Sequence, residues 1–452
     1  MKESRQIAEW VVNTKPADIP AEVKSEASKA LLNILGAALG ASRHPSIEYL
    51  LRALAVTGIN EDVQVIGRQE RTDLLSGCLV NGTMGHVLDY DDTVLETVLH
   101  PSSPVFPVVL ALGEREQISG EKTLAAFVLG CEVAGRVAAA LCPSHYDAGW
   151  HVTGTAGTFG ASAAAGYLLG LTGKEMTWAL ALAASQAGGI REMLGSMAKP
   201  FHAGRAAQNG LLAALLAREG FTGSEEPIEG RRGYGRAAAS KPDFKALTSE
   251  LGSDWVLSRN TYKAFSCGVV SHPILDGMIR LKKMGLSPHE VDRIEIRVNR
   301  LVPELMGNRN PKTGLEGKFS AYHCAAVGLI DGAGGPAQFS DARVQDKEVA
   351  GLREKVSLLV REGIRKHEVK IKVTKKDGTT LSVHVEHALG SLGNPMRESD
   401  LETKFRSLAQ GVLSQKRQDQ VIRLCWEWKD LPDLSLLLKR LSSDLPEGVA
   451  SS

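Results

Sequence analysis

The segment "LDYDDTVLETVLHPSSP" concentrates side chains that could bind a metal ion or move a proton. Four carboxylates, Asp89, Asp91, Asp92 and Glu96, lie within eight residues and precede His100. Carboxylate oxygens are the ligands that Mg²⁺ prefers, so a metal site is one interpretation. His100 favours acid–base chemistry instead, because an imidazole exchanges protons near neutral pH. The third interpretation is a solvated polar loop, which we favour for Asp91 and Glu96 and leave open for Asp92.

Two further segments combine basic side chains with small residues. "GWHVTGTAGTFGASAAAG" begins beside His151, and no β-type segment precedes its glycines, so close helix packing explains them better than a dinucleotide loop. In "MAKPFHAGRAAQNG", Lys199, His202 and Arg205 recur at three-residue spacing and would project over neighbouring helical turns. A solvated basic face is the common alternative for such spacing, and the surrounding small residues, which indicate close packing, raise the weight of a carboxylate-binding cluster.

Two segments of the second half carry further candidates. "YKAFSCGVVSHP" contains Lys263, Cys267 and His272, and its final proline predicts a helix start that leaves His272 near the helix N-terminus. Cys267 lies in an apolar stretch, which favours a buried thiol over a Cys/His catalytic pair. "GKFSAYHCAAVGL" contains Tyr322, whose hydroxyl could donate to a substrate oxygen; an ordinary half-buried tyrosine is the alternative.

Helical patterns dominate the first half of the chain. "IPAEVKSEASKALLNILGAAL" places its apolar residues on one helical stripe, and Thr172 and Glu175 have capping-box spacing. Dense Ala and Gly predict closely packed helices. The tail after about residue 400 is predicted to be helical again.

The pattern changes after about residue 260. "VDRIEIRVNR" alternates as a strand does, and "HEVKIKVTKKDGTTLSVHVEHAL" predicts two strands joined at Asp377-Gly378. We therefore expect a mainly α protein, with a large all-helical domain at 1–258 and 395–452 and a smaller α+β domain at 259–394.

Composition and net charge limit which classes of binding partner and which cellular compartment we expect. The 452 residues exceed one ordinary core, and the net charge of +1 argues against a nucleic-acid or membrane-surface partner. The N-terminus lacks a secretory apolar core. We also expect no membrane span, because no apolar run approaches the roughly 20 residues that a span requires. Six scattered cysteines without a CxxC pair indicate reduced thiols. We expect a cytoplasmic protein and leave organelle import open.

The combination of motifs is more specific than any one of them. "HVLDYDDTV", "GWHVTGTAGTFGASAAA", "MAKPFHAGRAAQNG", "KAFSCGVVSHP" and "KFSAYHCAAVGLIDG", in this order, resemble the MmgE/PrpD family over about residues 5–440. The resemblance implies that the smaller domain is a lid, that the protein is a homodimer, and that it uses neither metal nor cofactor. It also implies a small polycarboxylate substrate. Members include 2-methylcitrate dehydratases, cis-aconitate decarboxylases and iminodisuccinate epimerases, which all move a proton at a carbon next to a carboxylate.

The resemblance also assigns residues. It places seven residues on the family's active-site positions: Asp89, Thr93, His100, His151, Lys199, Lys263 and Tyr322. It implies that the two histidines transfer protons and that the two lysines bind substrate carboxylates. Either lysine could also transfer a proton if burial lowers its pKa, so both count as catalytic candidates. Asp89 would orient a lysine or a histidine, and Tyr322 would hydrogen-bond the substrate or supply a proton. We expect four residues to bind substrate, namely Thr93, His202, Arg205 and His272, and we expect no metal ligand.

Two departures bear on the substrate. The interval from Thr93 to His100 is one residue longer than in animal cis-aconitate decarboxylases, and Gly268 stands where those enzymes have a histidine. The segment "KAFSCGVVSHP" is instead similar to the corresponding segments of bacterial epimerases and of a fungal decarboxylase.

We therefore expect a lyase that dehydrates a 2-methylcitrate-like hydroxy-tricarboxylate. Decarboxylation of cis-aconitate to itaconate and an iminodisuccinate-type epimerisation are the alternatives within the family. Two other classes stay open, a non-catalytic binding protein and a metal-dependent terpene cyclase, whose acidic motif "DDTVLE" resembles. A single acidic motif is a weak signal, and the sequence has no second metal motif downstream.

Overall fold

The computed structural model describes residues 2–57 and 62–444. Over these residues the protein is mainly α-helical with a small sheet, which confirms the predicted fold class at that level. The helices of the first half are α1 (Glu3–Asn13), α2 (Ala21–Ala41), α3 (Pro45–Leu54), α4 (Leu74–Val87), α5 (Ser102–Arg115), α6 (Gly120–Leu141), α7 (Ser144–Asp147), α8 (Val152–Leu169), α9 (Gly173–Ala184), α10 (Ala198–Arg218) and α11 (Tyr234–Ala238). Thr172 and Glu175 form the predicted capping box of α9.

The second half adds shorter helices. They are α12 (His272–Lys283), α13 (Leu301–Met306), α14 (Gly314–Gly317), α15 (Ala321–Ile330), α16 (Asp341–Gln345), α17 (Lys347–Glu354), α18 (Glu398–Ala409), α19 (Gln415–Trp426) and α20 (Ser435–Leu441). The last three form the predicted helical tail, and α18 packs against α2 of the first half.

Within residues 2–57 and 62–444, the strands form one four-stranded sheet and two short pairs. The strands are β1 (Val63–Gln64), β2 (Arg71–Thr72), β3 (Thr93–Val94), β4 (Asn260–Thr261), β5 (Val291–Val298), β6 (Val356–Val360), β7 (Val369–Lys375) and β8 (Thr380–Val385). The sheet has the order β6-β5-β7-β8, in which only the β5–β6 pair is parallel. The predicted strand and hairpin are confirmed as β5 and as β7–β8, with Gly378 at φ +84° in the turn.

Buried apolar side chains form two large clusters. One combines the helices of the first half with α18–α20, and the other combines the sheet with α12 and α15. The tail thus packs on the first cluster, as expected. The domain boundaries and the description of the smaller domain as a lid remain predictions.

Helix α6 corrects one expectation from the sequence. By length and composition, Gly120–Leu141 is apolar enough to cross a membrane, contrary to the statement that no run approaches that length. However, 94% of its most apolar window is buried inside the fold, as in a core helix of a soluble protein. The long apolar run is explained by burial on all sides.

Close helix crossings explain the small residues. A Cβ atom built on Gly204 of α10 would lie 2.1 Å from the Leu79 carbonyl oxygen of α4, and one built on Gly82 would lie 2.8 Å from the Gly204 Cα. Only glycine permits this approach of the two backbones. The crossing sets the distance between the start of α10 and the turn that follows α4, where the candidate site lies.

Replacing Gly204 by alanine should therefore destabilise the protein by about 1–3 kcal/mol, because the backbone of α4 must move away. Gly351→Ala is the matched control, since Gly351 also lies in a helix but a Cβ there meets nothing within 4 Å. Denaturant unfolding of both variants measures the difference. Equal stabilities for Gly204→Ala and the wild type would contradict the packing argument.

Candidate active site

A cavity of about 480 Å³ is lined by residues from both halves of the chain. Its walls include six of the predicted site residues, Asp89, His100, His151, Lys199, Lys263 and His272. Arg191, Arg300 and Lys366 add positive charge to the lining, and Glu304 accepts from Arg191 at 3.5 Å. The volume and the polar lining suit a small charged molecule.

Asp89 binds two lysines at once. Its Oδ1 lies 2.5 Å from Lys199 Nζ and 3.0 Å from Lys263 Nζ, and all three side chains are buried. Burial alone would raise the pKa of the Asp89 carboxyl, but the two lysines hold that pKa well below its usual range. Asp89 is therefore a carboxylate, and its Oδ2 has no hydrogen-bond partner among the described residues.

Lys199 is brought to this carboxylate by the first turn of α10. Burial lowers its pKa, the Asp89 charge raises it, and the charge of Lys263 lowers it again. Two ammonium groups facing one carboxylate leave a positive charge at this end of the cavity. Such a site attracts a second carboxylate, which could come from a ligand.

His100 is held through its Nδ1 atom. That atom lies 2.9 Å from the Asp92 carbonyl oxygen, 3.2 Å from Thr93 Oγ1 and 3.4 Å from Asp91 Oδ1. A carbonyl oxygen only accepts, so Nδ1 carries the proton and Nε2 keeps a lone pair. Burial lowers the pKa of His100, which favours the neutral imidazole. The geometry leaves Nε2 available for proton transfer in the cavity.

His151 and His202 form the second imidazole pair. Their Nδ1 atoms are 3.1 Å apart, so one donates to the other. Burial holds the pKa of His151 well below its usual range, and the charge of Lys199 acts in the same direction. His202 supports His151 in this way without lining the cavity itself.

The acidic segment is more buried than expected. Asp91 was predicted to face solvent, but it is fully buried and its Oδ2 accepts from His86 Nδ1 at 2.7 Å. Asp92 is also fully buried and accepts from Ser102 at 2.7 Å and from Asn260 at 2.6 Å. Burial is the main reason that the pKa of Asp92 is raised to about 7.

His86 is a central residue that the sequence patterns did not single out. It is completely buried, its ring lies 4.7 Å from that of His100 and 5.6 Å from that of His151, and its Nε2 has no partner among the described residues. Burial lowers its pKa to about 3, so a neutral His86 donates to ionised Asp91. The spacing of His86 and Asp91, five residues apart across a helix end, was the available signal.

Four predicted site residues do not line the cavity: Thr93 and His202, which contact lining histidines, and Arg205 and Tyr322. Arg205 is exposed and its guanidinium donates to Gln208 on the same helix. Tyr322 packs beside the second apolar cluster, with the Arg309 guanidinium 5.1 Å from its ring centre. Neither lies in the cavity wall, so the geometry does not support their predicted contacts with a substrate.

A metal ion would meet an unfavourable environment here. His86, Asp89 and His100 offer ligand atoms within 4.8 Å of one another, which is close enough for a shared ion. However, the ammonium groups of Lys199 and Lys263 already bind Asp89 and would repel a cation. The arrangement favours an anionic ligand, while the metal independence of the protein remains a prediction.

Comparison with known proteins identifies the family. The MmgE/PrpD N-terminal domain matches residues 5–247, and the MmgE/PrpD C-terminal domain matches residues 265–428. The chain belongs to the MmgE/PrpD family. Members of this family include lyases that act on small polycarboxylates.

Similar MmgE/PrpD proteins include three from animals and fungi. The cis-aconitate decarboxylase of Homo sapiens is 30% identical over 390 residues, which cover 82% of this chain and 80% of that protein. The cis-aconitate decarboxylase of Aspergillus terreus is 28% identical and covers 97% of this chain and 95% of its own length. A cis-aconitate decarboxylase-like protein of Aspergillus oryzae is 26% identical, with 97% of each chain covered.

Asp92 gives the first prediction for this site. Its folded-state pKa of about 7 lies above the usual value of 3.8, so it weakens the folded state increasingly as pH rises from about 4 to about 7. Asp92→Asn should therefore gain stability relative to the wild type between pH 5 and pH 8, as measured by denaturant unfolding. An exposed carboxylate, Asp147→Asn, is the control. A stability difference that does not change with pH would contradict the assignment.

Lys199 gives the second prediction. Lys199→Met removes one ammonium group from the cavity and should weaken binding of tricarballylate, an unreactive tricarboxylate, at least about tenfold. Arg205→Met lies on the same helix but outside the cavity and should leave the affinity unchanged. Isothermal titration calorimetry compares both variants with the wild type. Equal losses from the two substitutions would mean that non-specific charge determines binding.

Proposed function

We propose that this chain is a lyase that moves a proton at a carbon next to a carboxylate, and that decarboxylation of cis-aconitate is its reaction. The observation that carries the proposal is the Asp89 carboxylate shared by two buried lysines in a cavity that the imidazoles of His100 and His151 also line. The relatives named as cis-aconitate decarboxylases support decarboxylation. Dehydration of a 2-methylcitrate-like acid, the first expectation from the sequence, becomes the second candidate.

Substrate binding follows from the charge at the inner end of the cavity. Lys199 and Lys263 together carry more positive charge than Asp89 neutralises. A substrate carboxylate placed beside their buried Nζ atoms forms charge-assisted hydrogen bonds, which a low local dielectric strengthens. Arg191, Arg300 and Lys366 lie elsewhere in the wall, where they favour further negative charge on the same molecule.

The chemical step needs a proton donor. In decarboxylation, the C–C bond to one carboxylate breaks, CO₂ leaves, and the electron pair passes into the carbon skeleton, where a carbon takes up one proton. His100 and His151 are the candidate donors. Burial favours the neutral form of both, but a bound tricarboxylate adds negative charge that raises the pKa of nearby imidazoles. Substrate binding thus favours the protonated donor at the moment it is needed.

The cavity wall at Gly268 differs from that expected for animal cis-aconitate decarboxylases, and for this reason dehydration is the second candidate reaction. A Cβ atom at this position would lie 2.4 Å from Met306 Sδ, so the histidine that animal decarboxylases carry there would require Met306 to move. Both residues line the cavity. The wall differs from that of the animal enzymes at this point, and a different carboxylic acid is one consequence. Dehydration uses the same proton transfer next to a carboxylate, with hydroxide as the leaving group.

The decisive assay is NMR of the purified protein with cis-aconitate in D₂O. We expect release of CO₂ and itaconate that carries deuterium, and His100→Gln should lower kcat about 10²–10⁴-fold. Arg205→Met is the control, because its side chain is exposed and outside the cavity. Activity should not change with EDTA.

Other outcomes would redirect the assignment. An unsaturated product from 2-methylcitrate or citrate without CO₂ would establish the dehydratase, and deuterium entry without net product would establish the epimerase. Activity that EDTA abolishes would favour metal-dependent chemistry. Binding without turnover of any of these acids would overturn the enzymatic proposal. We also propose that the protein is a homodimer and that it is located in the cytoplasm.

A further inference from the structure

Three consecutive backbone carbonyls in the turn after α4 each accept a hydrogen bond from a different buried lysine. Lys318 Nζ donates to the Leu88 carbonyl, Lys263 Nζ to the Asp89 carbonyl at 3.1 Å, and Lys404 Nζ to the Tyr90 carbonyl at 2.7 Å. These three carbonyl-binding lysines come from parts of the chain that are far apart in sequence. Their convergence on one short turn therefore depends on the complete tertiary fold.

The burial of these lysines is costly. Lys263, Lys318 and Lys404 are 3%, 4% and 6% exposed, and an ammonium group loses its hydration when it is buried. Burial lowers the pKa of Lys318 to about 7 and that of Lys404 well below its usual range. An unpaired carbonyl needs only one neutral donor, so ordinary hydrogen-bond satisfaction does not require three lysines.

The turn has an unusual backbone. Asp89 adopts φ +52°, which lies in the left-handed region of the backbone that residues other than glycine rarely occupy. A residue stays in this region only when its surroundings determine its conformation. The carbonyls before and after Asp89 are both held, by Lys318 and Lys404. Ser266 Oγ donates to the Leu88 carbonyl at 2.6 Å as well.

We propose that Lys318 and Lys404 are positioning residues for Asp89. They do not line the cavity, and they contact the backbone on either side of that residue. Lys404 Nζ also donates to the Lys263 carbonyl and to Asn33 Oδ1, each at 2.7 Å, so it holds the backbone of Lys263 as well. By holding the left-handed conformation of Asp89, the two positioning lysines keep its carboxylate between the ammonium groups of Lys199 and Lys263. Without them the turn relaxes and the carboxylate leaves this position. The catalytic consequence rests on the proposed function, whereas the effect on the turn does not.

Hydrogen–deuterium exchange of the backbone tests the proposal directly. In Lys318→Met and Lys404→Met, exchange of amides in residues 88–94 should become about tenfold faster or more, because the hydrogen bond to the Leu88 or Tyr90 carbonyl is lost. Exchange in α8 should stay at the wild-type rate, which separates positioning from general destabilisation. Lys355→Met is the matched control, since Lys355 Nζ also donates to a carbonyl, that of Val291 at 2.6 Å, but away from the cavity.

Activity provides the second measurement. With cis-aconitate, kcat should fall about tenfold or more in both variants with a smaller change in KM, and the Lys355→Met control should match the wild type. If the wild type turns over no polycarboxylate, the proposed function fails while the exchange measurement still decides on positioning. Wild-type exchange at residues 88–94 in both variants would overturn the positioning proposal.

A milder variant covers the case in which the methionine variants do not fold. Ser266→Ala removes one donor to the Leu88 carbonyl and one acceptor of Lys318, whose Nζ lies 3.0 Å from Ser266 Oγ. It should speed exchange at residues 88–94 about threefold to tenfold. Unchanged exchange in this variant would also overturn the proposal.

Discussion

The Asp89 carboxylate lies between two ammonium groups in a buried cavity, and the rest of the site depends on this arrangement. A lone buried charge would cost several kcal/mol, so each of the three groups needs the others. Because two positive charges face one negative charge, the arrangement is completed by one further carboxylate. The excess positive charge therefore favours an anionic ligand, whatever the shape of that ligand. It also disfavours a metal cation at the acidic segment, which its carboxylates alone would have suggested.

The histidines around this ion cluster act within the limits set by burial. His86, His100 and His151 lie within ring distances of 4.7 and 5.6 Å, and burial favours the neutral form of each. Neutral imidazoles do not add to the repulsion among the lysines. When an anion enters, the balance of charge changes and protonation of an imidazole becomes more favourable. Ligand binding and proton transfer are thus linked, because the negative charge of the ligand raises the pKa of the nearby imidazoles.

The sequence predicted the elements better than the complete site. Strand β5, the β7–β8 hairpin and the capping box of α9 follow from local patterns, which tertiary packing then retains. The three-residue spacing does not bring Arg205 to the cavity, because six residues along a helix place its side chain about 120° away from that of Lys199. The pairing of Lys404 with the Tyr90 carbonyl joins residues 314 apart, and no local pattern reveals such a contact. Likewise, the burial of Asp91 follows from the surrounding fold and could not be read from a polar segment.

The most direct test is a crystal structure of the protein with tricarballylate bound. We expect one ligand carboxylate within hydrogen-bond distance of both Lys199 Nζ and Lys263 Nζ, with Asp89 still in place and His100 beside the carbon chain. Such a complex would show that the excess positive charge around Asp89 binds the substrate class. Tricarballylate bound outside this cavity, or a metal ion bound to Asp89 in place of the two lysines, would contradict the account.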